Sequence, residues 1–162
     1  MSSSILILFL FGITLHNLEE AVWLTRRTSK ATKMKMHAPV QQDQFLFGLF
    51  TVTALAYLVT VLYIFYPSNL MFKYAYFGFL GAMICNIIFP HLISTMIERC
   101  YSPGLFTGIS VIIPTNLFII KAGFDTNTLT ASHFIVGTLC VGVILLLTIP
   151  LSFKLGKKLI TY

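Results

Sequence analysis

The 162-residue chain is 57% hydrophobic and 10% charged, with a mean hydropathy of +0.87 and a formal net charge of +6. A chain this poor in polar residues cannot cover an apolar core in water, so the bilayer must solvate it, and its length leaves no room for a soluble catalytic domain. The expected fold is all-α, a polytopic transmembrane bundle forming a single domain over 1–162, because lipid tolerates no open sheet edge and the short alternating segments of a barrel are missing.

Five apolar runs are long enough to cross a bilayer, at about 4–24, 45–66, 74–97, 105–121 and 132–153. The first carries His16-Asn17-Leu18-Glu19-Glu20 near its end. At roughly 100° per residue, Glu19 and Glu20 fall about 60° to one side and about 40° to the other of His16, one turn further on, so the three side chains converge. Ionisable groups inside a span are costly and mark function by default. The structural alternative is that the carboxylates offset Arg26 and Arg27 at the headgroups, which leaves the deeper His16 unexplained.

The segment 25–44 reads as a basic cytoplasmic loop containing Arg26, Arg27, Lys30, Lys33 and Lys35, with His37 solvated and Pro39 interrupting it. The third run holds Asn86, Pro90, His91, Ser94 and Thr95. Asn86 and His91 would stand about 140° apart on an ideal helix, and share a face only where Pro90 bends or unwinds the turn. Tyr101-Ser102-Pro103-Gly104-Leu105-Phe106-Thr107 reads as a turn that leads into the fourth run and brings Tyr101 and Thr107 to the interface. Pro114, Thr115 and Asn116 follow, able to line a cavity or to satisfy a kink. In the fifth run His133 is expected on the order of 15 Å in depth from the other histidines, and Gly137 and Gly142 serve close packing. Residues 154–162 form a basic tail. Cys85, Cys100 and Cys140 show no CxxC spacing and read as small packing residues.

Nine Lys and Arg fall in the first loop, at Arg99 and in the tail, against Lys73 and Lys121 on the other side. The positive-inside rule therefore expects a multi-pass protein of the cell membrane with its amino terminus outside and its carboxy terminus cytoplasmic. Without a basic n-region or an evident cleavage site, the first run is expected to be retained as a helix. The clustered charge suits anionic lipid headgroups and requires no nucleic-acid partner.

The His16–Glu20 motif, the later Asn86 and His91, and the Tyr101–Thr107 turn together resemble the HXXEE family of small bacterial integral membrane proteins. Asn86 and His91 are spaced one residue more widely than in that family's second motif. The resemblance implies a multi-span membrane protein and supplies no reaction.

Chemistry must therefore come from the residues. Two imidazoles and two carboxylates suffice to hold zinc or another divalent metal with a position open for water. In that reading His16, Glu19 and His91 are ligands and Glu20 accepts the water proton, making His16, Glu19, Glu20 and His91 the catalytic set, with Asn86, Tyr101 and Asn116 as secondary polar residues. The favoured reaction is hydrolysis of a lipid or of a lipidated, hydrophobic substrate. Two alternatives use the same side chains: a proton-coupled small transporter or an immunity or binding protein, and a metal-free acid/base isomerase of an apolar substrate. The chain is small for a transporter and lacks a clear internal repeat; a homodimer would answer both objections.

Overall fold

The computed structural model of the protein describes residues 2–24 and 41–159. Within them five helical spans are long and apolar enough to cross a membrane, and no strand occurs. The first span is Ser3–Leu24 and the second Gln42–Phe65. The third runs from Leu70 to Glu98, the fourth from Leu105 to Asp125, and the fifth from Ala131 to Leu159. The chain is thus an all-α polytopic membrane bundle. Residues 25–40, most of the expected basic loop, and residues 160–162 of the expected tail lie outside the described residues; Gln42 already opens the second helix, and Lys154, Lys157 and Lys158 sit on the last turns of the fifth.

Local chemistry sets the boundaries. The second span stops at Phe65, next to Tyr66, which precedes Pro67 and is disfavoured in a helical conformation for that reason. Asn69 then starts the third span, its side-chain oxygen accepting from the backbone N–H of Met71 at 2.9 Å and of Phe72 at 3.3 Å.

The third span is continuous in α-geometry only over Leu70–Asn86. Pro90 has no N–H to give to the helical ladder, and Phe89 before it adopts an extended backbone with φ −134° and ψ 117°. The chain passes through a wide π-type turn over Ile87–Leu92 and resumes as a short helix over Ile93–Glu98. A second wide turn, Gly108–Ile112, precedes Pro114 in the fourth span.

The core lies among the spans. Phe9, Ile13, Tyr76, Phe77, Leu80, Ile87, Ile112 and Ile119 are fully enclosed. Tyr76 is buried with its hydroxyl donating to the Leu6 carbonyl at 2.9 Å, and its ring packs on Tyr63. The third and fifth spans cross closely: a Cβ on Gly78 would come within 2.4 Å of the Gly137 carbonyl oxygen. Gly137 thus serves the packing role expected of it. Gly142 does not, since nothing among the described residues lies within 4 Å of its Cβ position. The free cysteines Cys85, Cys100 and Cys140 are exposed and not packed in the core. On the spans, that exposure faces lipid, as it does for Leu139, Val143, Ile144, Leu146 and Leu147.

The first span packs against the second on one side and the fourth on the other, and the fourth also contacts the third. Asn17 Nδ2 donates to Thr53 Oγ1 at 2.7 Å and ties the first span to the second. Such interhelical bonds in membranes contribute only about 0.6 kcal/mol on average, so side-chain packing carries most of the association. The groove beside this tie, about 220 Å³ and bordered by Leu46, Leu49 and Phe50, lies on the face of the first span turned away from the histidines.

Candidate metal centre

The broken third span brings His91 to the first. His91 Nε2 lies 3.0 Å from Glu20 Oε1, and His16 Nε2 lies 3.9 Å from the same oxygen. The two imidazoles meet edge to face with centroids 5.2 Å apart. His16, Glu20 and His91 each offer one ligand atom, all within 4.8 Å of one another. In a tetrahedral site with bonds of roughly 2.0–2.1 Å, ligand atoms lie about 3.3 Å apart, a value bracketed by the two measured separations.

The cluster is dry. His16 is 1% exposed, His91 6%, and the Glu20 side chain 12%. Residues 16 and 20 are one helical turn apart, which stacks their side chains on a single face. Pro90 accounts for the third member: the wide turn that it forces lets Asn86 Nδ2 approach His91 Nε2 to 3.3 Å, a contact the ideal helix forbids. His16 Nε2 is buried with no hydrogen-bond partner among the described residues. A buried polar atom without a partner is destabilising, and this one points at a carboxylate and a second imidazole.

Glu19 stands apart from this cluster. Its Oε2 accepts from the Thr107 hydroxyl at 2.6 Å and the Thr107 N–H at 2.8 Å, and its Oε1 from the Gly104 N–H at 3.0 Å and from the Tyr101 hydroxyl. The carboxylate thus satisfies N–H groups at the start of the fourth span that have no helical partner of their own. Partial burial, and then the bond to the Glu19 carboxylate, raise the Tyr101 phenol above its ordinary value, so it remains a neutral donor near neutral pH. Of the two adjacent glutamates, therefore, Glu20 faces the imidazoles and Glu19 anchors the 101–107 turn.

That turn also supports both histidines. Thr107 Oγ1 lies 3.3 Å from His16 Nδ1, and Ser102 Oγ lies 3.3 Å from His91 Nδ1. Each ring is held at Nδ1 while Nε2 faces Glu20, the arrangement in which outer partners orient metal-binding histidines. Thr95 Oγ1 accepts from the Ser102 N–H at 3.1 Å and fixes the turn in its place. Gly104 adopts φ +88°, and a Cβ there would meet His16 Cε1 at 2.7 Å.

The remaining expectations sort by position. Tyr101 belongs to the anchor around Glu19, and Asn86 touches His91. Asn116 is fully buried and donates to the Leu80 carbonyl at 3.0 Å, joining the third and fourth spans without contacting the cluster. His133 is elsewhere, stacked on Tyr74 at 4.4 Å and bonded to Thr130 Oγ1 at 2.6 Å. Ser102, Gly104 and Thr107 are the supporting residues that the sequence presents as members of a turn without a site role; the Pro103-Gly104 pair and the turn's likeness to the family pattern were their signals.

The comparisons with known proteins bear on the same residues. The family model described as "Protein of unknown function with HXXEE motif" matches residues 7–119, a stretch that includes every member of the cluster and the supporting turn. Uncharacterized protein YrkK of Bacillus subtilis (strain 168) is 43% identical over 150 residues, which are 93% of this chain and 94% of that protein. No solved structure matches. With its spans, its motif and its family model in agreement, the chain belongs to the HXXEE family of membrane proteins.

Proposed function

We propose that the protein is a membrane-embedded, metal-dependent hydrolase acting on a lipid or lipidated substrate, with His16 Nε2, Glu20 Oε1 and His91 Nε2 holding one divalent cation, zinc by preference. The supporting observation is the buried, unpartnered His16 Nε2 aimed at Glu20 and His91. Two imidazoles and one carboxylate form the ligand set of catalytic zinc sites that keep a fourth position open. When bound, such a cation polarises a carbonyl or phosphoryl oxygen and makes water a nucleophile near neutral pH.

The chain's own residues have distinct parts. His16 and His91 present neutral nitrogens, each oriented from Nδ1 by the 101–107 turn. Glu20 ligates through one oxygen and keeps the other to accept the proton of the attacking water. Glu19, with four donors on its two oxygens, holds the turn and takes no proton. Both parts that the sequence alone divides between the two glutamates, ligand and proton acceptor, thus fall to Glu20. Burial excludes bulk water and strengthens each charge interaction in the site.

The test combines metal analysis and turnover. Full-length protein purified gently in detergent should carry up to one divalent metal per chain, lost in both His16→Ala and His91→Ala. Incubated with vesicles of mixed glycerolipids, the wild type should release a hydrolysis product detectable by mass spectrometry, and chelator or Glu20→Gln should stop it. Metal without turnover on lipids or lipidated peptides would overturn the hydrolase and favour a binding or transport role for the same residues.

A further inference from the structure

His16 can present a lone pair at Nε2 only if its ring proton is on Nδ1. We infer that Thr107 and Glu19 form a relay that fixes this tautomer, making Thr107 a positioning residue for the His16 nitrogen. The inference rests on the metal-site reading for its purpose, although its geometry stands independently.

The direction of the relay follows from donor counting. A hydroxyl has one proton. The Thr107 hydroxyl lies 2.6 Å from Glu19 Oε2, and its proton goes there. The other acceptor in reach, the Gly104 carbonyl at 3.5 Å, would use up the same proton. In either case Thr107 Oγ1 offers only a lone pair to His16 Nδ1 at 3.3 Å, so Nδ1 must carry the hydrogen. Reversal would require Glu19 to donate, yet the Tyr101 hydroxyl and the backbone N–H groups of Gly104 and Thr107 already donate to its two oxygens. The proton therefore stays on Nδ1, and the atom left bare is the buried Nε2, which lacks a hydrogen-bond partner among the described residues. His91 differs: its Nδ1 meets Ser102 Oγ, and its Nε2 lies 3.0 Å from Glu20 Oε1 and 3.3 Å from Asn86 Nδ2. The relay thus assigns different parts to the motif's two carboxylates, Glu19 behind the His16 ring and Glu20 in front of it.

The experiment uses full-length protein labelled with ¹⁵N-histidine, metal removed by chelator, in detergent micelles. Two-bond nitrogen–proton correlations distinguish the tautomers, and His16 is assigned from the signal lost in His16→Gln. The expected wild-type result is protonated Nδ1 and bare Nε2 at His16. Thr107→Ser should keep that pattern, and Thr107→Val should give a mixture or the opposite tautomer. Protonated Nε2 in the wild type overturns the relay, whether or not the valine variant folds, and so does an unchanged pattern in folded Thr107→Val. Zinc titration of the same samples separates the two readings. Loss of an outer-shell partner should weaken zinc binding about 10–100-fold in Thr107→Val. A wild type that has the expected tautomer but binds no zinc would remove the metal and leave the relay; equal zinc affinity with the pattern changed would remove the relay's role in binding.

Discussion

Glu19 and Glu20 are neighbours in the chain and point to different structures: Glu20 Oε1 lies 3.0 Å from His91 Nε2, while Glu19 Oε2 lies 2.8 Å from the Thr107 N–H. Charge neutralisation at the two positions should therefore have different effects. Glu20→Gln should abolish metal binding and leave the thermal transition close to the wild type. Glu19→Gln should weaken the anchor of the fourth span by about 1–3 kcal/mol, the usual range for leaving donors unsatisfied, and should lower Tm in detergent. Metal stoichiometry and Tm measured on both variants check this, and equal effects at the two positions would contradict it.

The backbone at Gly104 makes a second test. A Cβ there would press on His16 Cε1 at 2.7 Å and Glu20 Cγ at 3.0 Å, at a φ of +88° that side chains rarely adopt. Gly104→Ala should cost about 1–2 kcal/mol from the conformation alone and displace two ligands as well. Gly142→Ala, with nothing within 4 Å, should change stability by less than about 0.5 kcal/mol. Thermal melts with zinc readout compare the pair.

Orientation is the third expectation. The excess of Lys and Arg in the first loop and the tail predicts that both face the cytoplasm. Cysteines introduced at Ser2 and Thr128 should react with an impermeant maleimide on intact cells, in a background with Cys85, Cys100 and Cys140 replaced. One introduced at His37 should react only after permeabilisation. Labelling of position 37 on intact cells would invert the arrangement and place the His16 end of the first span outside.

Much of this architecture was legible in the sequence because lipid imposes a single rule: apolar stretches of about 20 residues become helices. The fourth span, the shortest by hydropathy, is present over Leu105–Asp125. The convergence of His16 and Glu20 follows from helical periodicity alone. The separate destination of Glu19 does not, since an offset of about 100° between adjacent residues says nothing about which neighbour each will meet. That depends on the turn at 101–107 folding back beneath the first span, a tertiary contact without a periodic signature. The same holds for Ser102 and Thr107, whose hydroxyls are common in turns and acquire a role only from the rings beside them.

Pro90 provides the last and most demanding test. On an unbroken helix Asn86 and His91 would be about 140° apart, and His91 would be directed away from Asn86. The non-helical backbone at Phe89 and the missing N–H of Pro90 open the turn, and the two side chains meet at 3.3 Å. Pro90→Ala restores an N–H and removes the restriction on residue 89, which favours a regular ladder through this segment by up to about 3 kcal/mol. The helix itself should then be at least as stable as before. The site should not: with His91 rotated away from Glu20, metal affinity should fall at least tenfold, while His16 keeps its contact with Thr107. Competition against a chelator of known affinity measures the first effect and helical circular dichroism the second. Unchanged affinity with raised helicity would show that His91 reaches the cluster without the break.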